Sequence, residues 1–267
     1  MELNQLNEKL ARLNGMMVCP ICHNPLEMIS HEVRCTSNHS FNVSKSGSIN
    51  FIPVKIHARD RAYYANELAL HQLPPFRELL ESVTDQTTEP FCLTGSSLSP
   101  FLGSSGIGFE AAQPSVDLQL KENPDRLIFT ALADRLPLPT GSMDRVIRLD
   151  DQSGIEESLR ILASGHRMFR IIPGPGHLLE LRRHLFTGRR LGLREKPALI
   201  RELYQLQEEG GMVRAQRFRK SFQPTVPQKE ILLRQWISPN DLRIAQIAAV
   251  IDAVTFDFMI YSLQKHQ

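Results

Sequence analysis

Four residues with metal-binding side chains lie close together as Cys19-x2-Cys22-x12-Cys35-x3-His39. A structural zinc ion needs four nitrogen or sulfur donors in a tetrahedron, and two short-spaced pairs on two turns supply them. Pro20 and Asn24-Pro25 favour tight turns around the first pair. Residues 27–34 are expected to form a short strand that carries the chain to the second pair. With all four positions taken by protein, the metal would staple the fold and leave no open position for a substrate. The alternative is a set of reduced cysteines beside unconnected histidines, but a segment this short has too little core to fold without a staple. His23 and His31 are expected to be exposed. Cys92 lies in an apolar run, which points to a buried core thiol rather than a nucleophile.

A second stretch, FCLTGSSLSPFLG (91–103), passes from an apolar run into a loop of small residues. In a nucleotide-binding α/β protein this is the place of the glycine-rich loop, and here it keeps Gly95 but carries Ser97, Leu98 and Ser99. The elements around it alternate. Strands are expected at 91–94, 106–110, 126–132, 143–149 and 166–172. Helices are expected after the second, fourth (Gly154–Ala163) and fifth, the last following Pro173-Gly174-Pro175. Such alternation implies an open, mostly parallel sheet covered by helices on both faces. Residues 211–222 and 254–263 read as two closing strands, with a helix between them capped by Ser238 and Pro239. Upstream, two short helices break at Pro74-Pro75, and FNVSKSGSINFIPVK after His39 reads as a hairpin turning at Gly47. The organisation expected is an amphipathic helix at 1–15, a zinc ribbon at 16–56, a helical connector at 57–86 and an α/β domain at 87–267.

The chain has 267 residues and a formal charge of +2. Between Arg160 and Lys220 there are 14 Lys or Arg against 5 Glu, so this block carries +9 and the remainder −7. It could attract a polyanion or form a solvated face. The longest apolar run, 244–263, is broken by Asp252 and Asp257. Each would cost ~2.5–3.5 kcal/mol at a membrane centre, so a core segment is expected there, with no membrane partner. The N-terminus lacks a secretory pattern, and a cytoplasmic location is expected.

The zinc spacing, the block at Arg135-Leu136-Pro137 and Ser142-Met143-Asp144, and Gly174-Pro175 followed by His177 and Leu178-x-Glu180-Leu181 together resemble one family. It is the RlmA-type methyltransferases, which methylate a guanine of large-subunit ribosomal RNA using S-adenosylmethionine. The resemblance covers nearly the whole chain. It implies an N-terminal zinc ribbon followed by a Rossmann-like class I methyltransferase domain, with one antiparallel strand in a seven-stranded, mostly parallel sheet. It implies zinc on Cys19, Cys22, Cys35 and His39. It implies S-adenosylmethionine as cofactor and ribosomal RNA as partner; pairing of two copies stays open.

The resemblance also assigns a cofactor set of Gly95, Ser97, Leu98, Glu110, Asp134 and His177. The family loop after the first strand reads Asp-x-Gly-x-Gly-x-Gly, and here Leu93 takes the acid position while Ser97 and Ser99 replace two glycines. A side chain where a glycine is required costs about 1–3 kcal/mol, and a lost charge-assisted contact about 1.5–3 kcal/mol. Uncompensated, that is roughly two to four orders of magnitude in affinity. Glu110 suits an acid accepting ribose hydroxyls or a solvated glutamate at a helix start. His177 suits a pocket residue or a helix N-terminal histidine. The family tyrosine before the first strand maps on Leu73. Two functions therefore stand: an RNA methyltransferase with an atypical loop, or a catalytically inactive scaffold that binds RNA or protein. A zinc-ribbon DNA regulator would not need an α/β part of this size.

Overall fold

A computed structural model describes residues 15–29, 32–44, 46–52, 57–84, 91–95, 106–149, 155–186, 201, 203, 212–238 and 240–265. The expected N-terminal helix, His31, Ser97, Leu98 and Ser99 lie outside them. Strands β1 (Leu26–Ile29), β2 (Glu32–Cys35) and β3 (Ser40–Asn42) form a three-stranded antiparallel sheet. The single strand expected over 27–34 is thus a hairpin, pairing Leu26 with Cys35 and so bringing the two ligand pairs to the same end. Beyond β3 the chain turns through Gly47 (φ 77°) and bridges Val43 to Ile49, as the hairpin reading expects.

Residues 49–51 then leave the ribbon and pair in parallel with the edge of the large sheet. Thr130 donates to Ile49 O at 3.0 Å, and Phe51 N donates to Thr130 O at 2.8 Å. An open strand edge exposes unpaired backbone groups, and the ribbon satisfies part of this one. Phe41 and Phe51 stack tilted at 5.1 Å, and Phe51 meets Phe129 edge-on at 6.4 Å, so one apolar cluster runs from ribbon to sheet.

The large sheet contains β4 (Phe91–Thr94), β5 (Gly106–Glu110), β6 (Leu127–Thr130), β7 (Met143–Arg148), β8 (Leu162–Pro173), β9 (Met212–Phe222) and β10 (Val254–Gln264). Their order is β6-β5-β4-β7-β8-β10-β9. All run parallel except β10, which is antiparallel to both its neighbours. Strands β4, β5 and β6 are fully buried, which suits a sheet covered on both faces. Helices α1 (Arg61–His71) and α2 (Pro74–Thr84) precede β4. Helix α2 inserts Phe76, Leu79, Leu80 and Val83 into the main core. Helix α3 (Gln113–Glu122) follows β5, α4 (Glu156–Ile161) follows β7 and α5 (Leu179–Leu185) follows β8.

The closing helix between β9 and β10 differs from expectation. It is two helices, α6 (Val226–Leu233) and α7 (Arg243–Val250). Ser238 does not cap α7: its carbonyl accepts from Asp241 N at 3.0 Å, and Asp241 bonds Arg243 N at 2.9 Å at the helix start. A capping box of Thr225 and Gln228 starts α6. Helix α4 is likewise shorter than expected, because Leu162 already begins β8.

The loop after β8 is sewn to the start of β10. Gly174 N donates to Asp257 O at 2.8 Å, Gly176 N to Asp257 Oδ2 at 2.7 Å, and Leu178 N to Thr255 O at 2.7 Å. A Cβ on Gly176 would stand 2.8 Å from the Asp257 carboxylate, so the close approach requires glycine. Asp257 is fully buried and takes two bonds from Arg217 on β9, at 2.7 and 2.8 Å. This guanidinium holds its carboxyl below the usual carboxylate range. A depressed folded value stabilises fully above the unfolded pKa near about 4 and is lost as pH falls through the folded value. Arg217→Ala should therefore lower stability at neutral pH, and the gap to wild type should close in acid, as urea unfolding across pH would show.

Candidate metal centre and cofactor crevice

Two turns build the metal centre. In the first, Cys19 N donates to Asn24 O and His23 N to Cys19 O, both at 2.8 Å, with exposed His23 in the left-handed region (φ 59°). In the second, Cys35 N donates to His39 O at 3.0 Å and Asn38 N to Cys35 O at 2.8 Å. Asn38 also has positive φ (67°), a conformation asparagine tolerates. These turns point three sulfurs and His39 Nδ1 at one centre, with all four atoms within 4.8 Å of one another. The spacings are 3.6 Å for Cys22 to Cys35, 3.4 Å for Cys35 to His39 and 3.6 Å for Cys19 to His39. Bonds of about 2.3 Å to sulfur and 2.0–2.1 Å to nitrogen place tetrahedral ligands roughly 3.4–3.8 Å apart. The donor set therefore fits zinc in both chemistry and size. Burial pushes the Cys19 thiol up to about 11, while the Asn24 backbone N–H holds Cys22 down at about 6; a bound cation would favour the thiolate at both.

The second site is the crevice at the carboxyl ends of the strands. Sheet order reverses between β4 and β7, and ligands of open α/β sheets bind at such a switch point. Gly95 ends β4 there with φ 120°, and a Cβ on it would meet Leu149 O at 3.0 Å. Its N–H lies 3.4 Å from Phe109 O on the neighbouring strand. Glu110 ends β5 one strand over. It is 5% exposed and accepts from Gln119 Nε2 at 2.8 Å, so it is not a solvated helix-start residue. Asp134 is exposed on the turn after β6. Gly95, Glu110 and Asp134 thus follow three adjacent strands along one edge.

His177 is placed differently. It follows β8, on the far side of β7 from Gly95, and packs on Phe258 at 4.4 Å and Phe256 at 5.6 Å. Its Nδ1 faces Asp257 N at 3.4 Å, and burial first, then Arg182, holds the imidazole neutral, down at about 3. Cys92 is fully buried and its thiol is pushed well above the usual range by burial, as befits a core residue. Leu93 is also in the core, beside Phe91, Ile128 and Ile147.

A polar relay on α3 joins ribbon and crevice. Ser46 Oγ donates to Asp117 Oδ1 at 2.8 Å, Gln113 Nε2 to the same oxygen at 3.0 Å, and Thr130 Oγ1 to Gln113 Oε1 at 2.7 Å. Thr130 is the residue paired with Glu110 across the sheet. The signal that could have found this support is Ser115 and Gln119, polar and buried at i and i+4 on one face of α3. Arg148, which ends β7, pairs with Arg170 of β8, and these two are the largest fully buried side chains among the described residues.

Zinc ribbon and strand order define the class: a class I methyltransferase fold, seven strands with one antiparallel, carrying an N-terminal zinc ribbon. Residues 17–58 match the sequence model of the RlmA N-terminal zinc ribbon. YxjB of Bacillus subtilis (strain 168), provisionally named a 23S rRNA (guanine-N(1)-)-methyltransferase, is 25% identical over 65% of this chain and 70% of its own length. The 23S rRNA (guanine(748)-N(1))-methyltransferase of Streptomyces fradiae is 25% identical over 61% of this chain and 65% of its own. The chain is thus similar to the RlmA-type proteins in its zinc ribbon and, at 25% identity, over about two thirds of its length. Among the described residues no helix is long and apolar enough to cross a membrane.

Thiol counting tests both the metal centre and the core. The native protein should carry one zinc per chain by atomic emission. Chelation should release it and expose three reactive thiols, with Cys92 reacting only after unfolding, and should lower the melting temperature.

Proposed function

We propose that the chain transfers a methyl group from S-adenosylmethionine to a guanine of large-subunit ribosomal RNA. The observation that carries this reading is the Glu110 carboxylate, buried yet held at the carboxyl end of β5 beside the switch point. Burying a carboxylate is costly, and a pair of ribose hydroxyls is a ligand that suits it. The similarity to the Bacillus and Streptomyces proteins supports guanine in ribosomal RNA as the acceptor.

When bound, the cofactor supplies a methyl group on a sulfonium centre. The chain's own residues have positioning work, because methyl transfer depends mainly on aligning donor and acceptor. Gly95 keeps the backbone bare at the crevice, Glu110 would accept the ribose hydroxyls, and Asp134 would stand near the adenine. His177, neutral and packed on Phe258, braces the loop after β8 and acts as a positioning residue. Ser97 and Leu98 complete the expected loop outside the described residues.

A second reading rests on Leu93. At the position of the family acid it is 1% exposed and contributes to the apolar core, so β4 offers no carboxylate to the cofactor's ammonium group. This favours a scaffold that has left catalysis and kept a binding surface. Isothermal titration separates the two. S-adenosylhomocysteine should bind in the micromolar range, and Glu110→Gln should weaken it roughly 10- to 100-fold. No heat at millimolar ligand, from folded zinc-loaded protein, would select the second reading. Gly95→Ala should cost about 1–3 kcal/mol of stability, because an alanine there is strained at positive φ and crowds Leu149.

A further inference from the structure

A groove of about 700 Å³ lies between α1 and the end of α6, separate from the crevice residues named above. One end of each wall helix stands at the carboxyl edge of the sheet. Helix α2 descends from that edge: Arg145, near the start of β7, donates to Val83 O and Thr84 O at the helix's far end. The α1–α2 junction is therefore at the upper edge. Helix α6 follows β9, whose last residue Phe222 pairs with Val254 at the start of antiparallel β10, again at that edge. Asn66 Nδ2 donates to Ile231 O at 3.1 Å and ties the two walls together.

The lining is unlike that of a groove for an apolar peptide helix. Ala62, Ala65 and Ala69 recur on one face of α1 and leave a shallow floor. On one rim Tyr63 is 37% exposed, with the Arg59 guanidinium over its ring at 5.8 Å. On the other rim Trp236 stands beside Arg234, its ring held edge-on by Phe186 at 6.2 Å. The acidic residue of the lining, Asp60, is already engaged in capping α1 through Tyr63 N at 2.8 Å. Arg234 meets Glu230 at 3.0 Å in an exposed pair that solvent screens. Small alanines, two aromatic side chains and two guanidiniums in one lining match a planar ring attached to a phosphate.

We infer that this groove receives an unpaired base of the RNA substrate, stacked between Tyr63 and Trp236 with its phosphates facing Arg59 and Arg234. The inference rests on the RNA reading above and adds a binding site to it. Single-stranded RNA elements are recognised by stacking splayed bases on aromatic and arginine side chains, and a guanine must leave its stack before its ring nitrogen can be methylated. A base anchored in the groove would hold the loop that presents it.

Trp236 is the chain's one tryptophan, so its emission reports on this groove alone. The experiment titrates the full zinc-loaded protein with a labelled RNA hairpin bearing an unpaired purine-rich loop, and with a fully paired duplex of equal length. Anisotropy of the label and tryptophan emission are read together. The hairpin should bind and quench Trp236, and the duplex should not quench it. Tyr63→Ala should weaken hairpin binding roughly ten-fold or more; Arg59→Ala should weaken it too, and keeps the test valid if the first variant does not fold. Arg77→Ala, an exposed cation on α2 paired with Glu81 at 3.7 Å, should bind within about two-fold of wild type. If the hairpin binds with no change in Trp236 emission and the groove variants bind like wild type, the groove inference is overturned while the RNA reading stands. If no RNA binds, the RNA reading falls and the groove inference with it.

Discussion

Two backbone hydrogen bonds at Thr130 hold the molecule's parts in one frame. Through them residues 49–51 become an added strand on β6, and the ribbon becomes part of the large sheet. The dependence runs both ways. The ribbon is too small to hold its shape by apolar burial alone, so its four ligands must be drawn together before residues 49–51 have a fixed direction. The sheet in turn has an edge strand of only four residues whose outer backbone groups need partners. Metal, hairpin and sheet edge therefore form one chain of cause, and the relay from Ser46 through Asp117 and Gln113 to Thr130 extends it to the strand beside Glu110.

The opposite side of the sheet solves a different problem with the same means. The loop after β8 must turn sharply at the carboxyl edge, and it does so by wrapping two glycines around the buried Asp257. The carboxylate is costly to bury and tolerable because Arg217 and a backbone N–H meet it. Leu178, a non-glycine residue at φ 50°, is held in place by full burial and by its bond to Thr255. Both flanks of the crevice are thus fixed by part-buried polar pairs, which have strict geometry, rather than by apolar packing alone. That suits a site whose task is alignment.

Much of this was legible in the residues. The cysteine-histidine spacing predicts a centre that the fold assembles, because metal ligands carry their own distance rule. Strand–helix alternation predicts the sheet, because parallel strands need crossovers. Less visible were features that depend on contacts distant in sequence. Nothing local in Ser-Ile-Asn-Phe (48–51) says that it will pair with Thr130, some 80 residues on. Ser238 followed by proline looks like a cap, yet Asp241 lies nearer the helix start and bonds it instead. His177 and Glu110 illustrate the limit for function: sequence position brings both to the carboxyl edge, but only tertiary packing shows one wrapped in phenylalanines and the other held beside the switch point.

The central claim is that this scaffold, with a leucine in place of the usual acid at position 93, still methylates RNA. It is tested most directly by incubating the zinc-loaded protein with methyl-labelled S-adenosylmethionine and large-subunit ribosomal RNA from cells lacking the protein, then mapping the label. The account predicts label on a single guanine, at a rate that falls with Glu110→Gln. Absence of label, from protein that is folded and zinc-loaded and over a range of cofactor up to millimolar, would contradict it.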